Sequence, residues 1–68
     1  MSELTNRIRR FRFDSGEMTQ QELAAKAGVT RQTIIALEAN RYVPSLLLAH
    51  RISRVFAVPI EDVFQFDD

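Results

Sequence analysis

Residues Thr19 to Glu38, TQQELAAKAGVTRQTIIALE, constrain the fold more than any other stretch, because they encode two short amphipathic helices separated by one glycine. Thr19 is a capping residue and Glu22 stands one helical turn on, a spacing at which each side chain satisfies the other's backbone amide. Leu23, Ala24 and Ala27 share one face at helical spacing, and the small residues among them let a second helix approach closely. Gly28 can take the left-handed conformation that ends a helix, after which Val29 turns inward. Thr30 caps the helix that follows. In that helix, at about residues 30–38, Ile34 and Leu37 face the core and leave Arg31, Gln32, Thr33, Ile35 and Ala36 on the outer surface.

This is a helix-turn-helix layout, and its outer surface suits a reader of double-stranded DNA. Arginine bonds bidentately to guanine and glutamine to adenine, while Ile35 and Ala36 can touch a thymine methyl. An exposed face of Arg, Gln and Thr is by itself ordinary solvated surface. Its conjunction with a capping box, small residues, a glycine turn and a second cap favours DNA.

A chain of 68 residues predicts a single domain over 1–68 that buries only about 60% of its unfolded surface, so its core is thin. The absence of cysteine excludes a disulfide framework and thiolate metal sites. The longest apolar runs, Ile34–Leu37 and Leu46–Ala49, are too short to cross a bilayer, and a cytoplasmic protein without a signal peptide is expected. Net charge is zero but unevenly spread. Residues 1–54 hold all nine bases against five acids, a balance of plus four, and the last fourteen hold four acids and no base, minus four. Such a dipole turns a positive body toward phosphate and keeps the tail away.

Three more helices flank the central pair. The first is expected from about Leu4 to Ser15, with Leu4, Ile8 and Phe11 as its buried stripe and Gly16 as its stop. A fourth starts at the Ser45 cap and runs to about Phe56, with Leu48, Ile52, Val55 and Phe56 inward. A short fifth helix is signalled by Pro59, with Glu61 and Asp62 at its positive end and Val63 and Phe64 as core contacts. Phe64-Gln65-Phe66 alternates with period two and favours an extended segment.

The order of these elements, with MTQQELAAKAGVTRQTIIALEANRYVPS at its centre and PIEDVFQF at its end, resembles the small stand-alone members of the Cro and lambda-repressor-type helix-turn-helix regulators. The resemblance covers nearly the whole chain. It implies an all-α, compact five-helix domain, in some members with a small antiparallel β-ribbon made from the two chain ends. It also implies a homodimer that binds a palindromic operator, often as a repressor, with no cofactor, no metal and no small-molecule ligand in evidence. Position by position, it places Gln20 where a phosphate is contacted and the recognition helix braced, and Arg31 and Gln32 at the principal base-reading positions. Thr30, Thr33, Ile35 and Ala36 match neighbouring phosphate or base-edge positions, and Asn40, Arg41 and Tyr42 match a loop lying along the DNA backbone. Asn40 replaces a glycine common there, a departure that the left-handed tolerance of Asn permits. Glu38 matches an acid that pairs with an arginine of the first helix, here Arg12, in a structural role.

Glu17 reads as a one-residue insertion between the first two helices. Phe13 and Leu47 stand at commonly polar positions, and with Val63, Phe64 and Phe66 they exceed what so thin a core can hide. The C-terminal helix and tail, residues 57–68, are therefore expected to form an isologous dimer contact through Val63, Phe64 and Phe66. Two other classes remain. Enzyme chemistry finds little: His50 is the sole histidine and has no second ligand or nucleophile at motif spacing, and there is no glycine-rich phosphate loop. A protein-interaction module, such as an antitoxin or adaptor that kept the fold, is the alternative that fold similarity cannot separate. Arg31, Gln32 and Arg41 argue against it.

Overall fold

Side-chain hydrogen bonds at the helix starts divide this chain into its elements. The computed structural model describes residues 3–67, apart from the side chains of Glu3 and Asp67. Within them the order is β1 (Glu3–Asn6), α1 (Ile8–Asp14), α2 (Gln20–Ala27), α3 (Arg31–Glu38), α4 (Leu46–Phe56), α5 (Ile60–Val63) and β2 (Phe64–Asp67). Of the acidic tail, Asp68 and the Asp67 side chain lie outside the described residues.

Thr19 Oγ1 accepts the Glu22 amide at 3.0 Å and the Glu22 carboxylate accepts the Thr19 amide at 2.9 Å, so the capping box opens α2. Thr30 caps α3 through the Thr33 amide, and Ser45 caps α4 through the Leu48 amide at 3.1 Å. Each cap stabilises its helix by about 1 kcal/mol. Gly28, with φ of 76°, turns the chain from α2 into α3. Asn40 and Ala57 take the same left-handed conformation beyond α3 and α4, at φ of 58° and 56°.

The first helix begins later than its periodicity predicts. Leu4 is not helical; it lies in β1, opposite Phe66 of β2 in an antiparallel ribbon that also pairs Asn6 with Phe64. Asn6 sets the boundary by accepting the Ile8 amide on its side-chain oxygen at 3.2 Å, and the Arg7 amide leaves for the Val63 carbonyl at 2.8 Å. A residue that buries at helical spacing also buries at strand spacing, so Leu4 fits both patterns. Beyond α1, Gly16 and Glu17 are both left-handed, with φ of 76° and 58°, in the turn that leads to α2.

The core gathers Ile8, Leu23, Ala24, Ala27, Ile34, Leu37, Leu48, Ala49, Ile52, Val63 and Phe64. Leu4, Phe11, Val29, Val55 and Phe56 pack around it half-buried, and Phe11 and Phe56 stack with ring centroids 5.4 Å apart. Ser53 is the buried polar residue of α4, and its hydroxyl donates to the His50 carbonyl at 2.7 Å. Val63 and Phe64 are 0% and 7% exposed inside the protomer's own core, as expected of core contacts of the fifth helix, and this corrects the expectation that their side chains also face a second copy. Of that trio Phe66 alone, 74% exposed, presents its side chain outward. Phe64 and Phe66 are two residues apart on β2 and so share a face, yet Phe64 is buried and Phe66 is not. No helix among the described residues is long and apolar enough to cross a membrane.

Candidate nucleic-acid interface

Burying Ile34 and Leu37 fixes the roll of α3, and that roll decides which side chains it offers outward. Arg31 and Gln32 are exposed on its first turn; Thr33, Ile35 and Ala36 are half-buried, more enclosed than a free helix face implies. Arg31 stands at the positive end of α3, where a cation gains nothing from the helix dipole and an external anion would. From Arg31 through Ser45 the sole acid is Glu38.

Glu38 is held from behind. Its carboxylate accepts Arg12 Nε at 2.7 Å and Arg12 Nη2 at 2.9 Å, a bidentate pair, while Arg12 Nη1 donates to the Met18 carbonyl at 2.9 Å. Gln20 Nε2 donates to the same carboxylate at 3.3 Å, which orients Gln20 at the start of α2. The hydrogen bonds to Glu38 outweigh burial and raise the Arg12 pKa further above its ordinary value. The result ties α1, α2 and α3 together at one point and uses up the acid nearest the outer face.

Two grooves flank α3. One is lined by Arg9, Arg12, Thr19, Gln20, Gln21, Arg31 and Glu38, and brings Gln20 and Arg31 together with Arg9, which has no ion-pair partner among the described residues. The other is lined by Gln32, Thr33, Ala36 and Tyr42. Thr30, exposed, caps between them. Asn40, Arg41 and Tyr42 are all exposed in the loop after α3. That loop is a Schellman-type ending: the Asn40 amide returns to the Leu37 carbonyl and the Arg41 amide to the Ala36 carbonyl, both at 3.0 Å.

Sequence reasoning missed Arg9, Thr19 and Gln21 as neighbours of Arg31, because they come from separate helices. It also missed Asn6, whose signal was an Asn two residues before the first amide of a helix. At the α2 start, hydrogen bonds from the Thr19 backbone and then its hydroxyl hold the Glu22 carboxyl below its ordinary value.

Residues 8–63 match the helix-turn-helix family model. An uncharacterized HTH-type transcriptional regulator of Archaeoglobus fulgidus is 57% identical over 65 residues, covering 96% of this chain and 91% of that protein. A similarly described protein of Methanothermobacter thermautotrophicus is 58% identical over 62 residues, covering 90% and 88%. A Bacillus subtilis relative, also an uncharacterized HTH-type transcriptional regulator, is 42% identical over 65 residues and covers 96% and 97%. In fold, the chain is similar to a crystal structure of a candidate DNA-binding protein from Bacteroides fragilis, with a TM-score of 0.79 at 22% identity over 91% of this chain and 98% of the other.

Proposed function

The chain belongs to the Cro and lambda-repressor-type helix-turn-helix family, and from that premise we propose that it is a sequence-specific DNA-binding transcriptional regulator. The observation that carries this reading is α3 itself: exposed Arg31 and Gln32 lead a face whose single nearby acid is already paired with Arg12. Inserted in the major groove, Arg31 and Gln32 read base edges, each good bidentate contact discriminating by about 1 to 3 kcal/mol. Thr30, Thr33, Ile35 and Ala36 contact adjacent phosphates or base edges. Gln20, held by Glu38, bonds a phosphate with its remaining capacity, and the loop Asn40–Tyr42 follows the backbone, with Arg41 and Tyr42 as its contacting side chains.

The active form in this reading is a homodimer on a palindromic operator. Two copies of α3 related by a twofold axis meet successive major grooves about 34 Å apart. Exposed Phe66 supports a contact through the tail. Repression follows from occupying promoter DNA.

Selection of binding sites from random duplexes at two salt concentrations tests this directly. Enrichment of a palindrome with half-sites one turn apart is expected. Arg31→Ala and Gln32→Ala then relax preference at particular base pairs, whereas Arg41→Ala weakens all sequences alike. Equal, sequence-independent losses in all three would sink the assignment, and an unenriched pool would favour a protein partner instead.

A further inference from the structure

Asn6 ends β1, yet its side chain does not serve the ribbon. Its oxygen accepts the Ile8 amide at 3.2 Å, and its Nδ2 donates to the Leu37 carbonyl at 2.8 Å and to the Asn40 side-chain oxygen at 3.2 Å. Two donors face two acceptors and the oxygen faces a donor, so only this orientation of the amide satisfies all three neighbours. The Leu37 carbonyl is also the acceptor of the Asn40 amide, so it takes one bond from within its own turn and one from the far end of the chain.

That arrangement gives Asn40 a second purpose. Its backbone is left-handed, with φ of 58°, a conformation glycine adopts more easily. A glycine would end α3 as well, but it would offer nothing for Asn6 to hold. We propose that Asn6 and Asn40 form a latch through which the paired chain ends fix the loop Asn40–Tyr42, so that Asn6 is a positioning residue for DNA binding although it lies off the reading face. This rests on the reading of that loop as a phosphate contact. An event that displaces β1 from β2 therefore loosens the loop after α3, which links the state of the terminal ribbon to the grip on DNA.

Two substitutions in the full chain separate the latch from general stability. Asn6→Ser keeps a hydroxyl that can accept the Ile8 amide but is too short to reach Leu37 or Asn40. Asn40→Gly keeps the left-handed turn and removes only the side-chain acceptor. Each is expected to weaken binding of the selected operator and of random duplex by a similar factor, about tenfold or somewhat less, the scale of one lost hydrogen-bonded contact. Asn40→Gly does so while melting no lower than the parent. In the Asn6→Ser background, Asn40→Gly adds little further loss, because the bond it removes is already gone. Unchanged affinity in Asn40→Gly, or losses that multiply in the double variant, overturn the proposal. Backbone amide exchange in free Asn6→Ser gives a readout independent of DNA: faster exchange confined to Asn40 and Arg41 supports the latch, and unchanged rates, or a uniform rise across all helices, overturn it. If the parent selects no DNA, the reading of the loop as a phosphate contact fails, and the exchange pattern still decides whether the latch exists.

Discussion

At the residue scale, the Glu38 carboxylate joins three helices, since one group on α3 accepts from α1 and from the start of α2. The Arg12 and Glu38 side chains are only 15% and 11% exposed. Removing one partner strands a largely buried charge, whereas replacing both with apolar residues of similar volume does not. Arg12→Ala is therefore expected to cost about 2 to 4 kcal/mol, less than a fully buried pair because some water still reaches it. The double change to Met at both positions should cost much less, as measured by urea unfolding; a double variant as unstable as the single would show that packing, not charge, dominates. Pattern alone did not reveal this pair. Glu38 and Arg12 lie 26 residues apart, and family resemblance, not periodicity, put them together.

At the element scale, what ends and starts each helix is local chemistry, and most of it was legible. The capping box at Thr19 and Glu22, the Gly28 turn and the caps at Thr30 and Ser45 all form within a few residues of one another. The Glu22 carboxyl, held low by Thr19, titrates lower in the folded chain than in the unfolded one. Its contribution is thus complete above the unfolded carboxyl value, about 4.3, and is lost as pH falls through the depressed folded value. Glu22→Gln keeps the box without the titration and should flatten the acid side of a melting-temperature profile; an unchanged acid limb would assign that loss to other carboxylates. The end of α4 at Phe56 was expected, but the left-handed backbone of Ala57 that terminates it was not legible, because alanine gives no sign of that conformation. Ala57→Gly should relieve about 1 kcal/mol of strain net of chain entropy, raising the melting temperature by about 4 to 8 °C in a domain of this size. A drop in melting temperature would mean that the alanine methyl packs more favourably than its backbone is strained.

At the scale of the whole molecule, the two chain ends close the structure on themselves, with β1 against β2 and Val63 and Phe64 drawn into the core. That closure removes two of the three residues expected at a dimer contact and leaves Phe66 projecting with the ribbon. Phe66→Ser is accordingly expected to weaken self-association in sedimentation while changing stability little, since the side chain is already mostly in water. If the chain self-associates as proposed and Phe66→Ser leaves that association intact, the contact moves to another apolar surface, such as exposed Leu46 and Leu47.

What the amino-acid order determined alone is whatever depends on neighbours within about one helical turn: four of the helices, the caps of three of them, the glycine turn, and the inward roll of Ile34 and Leu37 that leaves Arg31 and Gln32 outside. Those features need no distant partner, because their hydrogen bonds and apolar periodicity are written in adjacent residues. Only the tertiary structure decided that Leu4 belongs to a strand and that Val63 and Phe64, expected at both the core and a dimer contact, are used up by the core. It alone decided that Arg9, Gln20 and Arg31 share a groove and that Asn6 reaches the end of α3. Each of these depends on which surfaces compete for one small core and on pairings between the chain's two ends, and no local periodicity encodes the outcome of that competition.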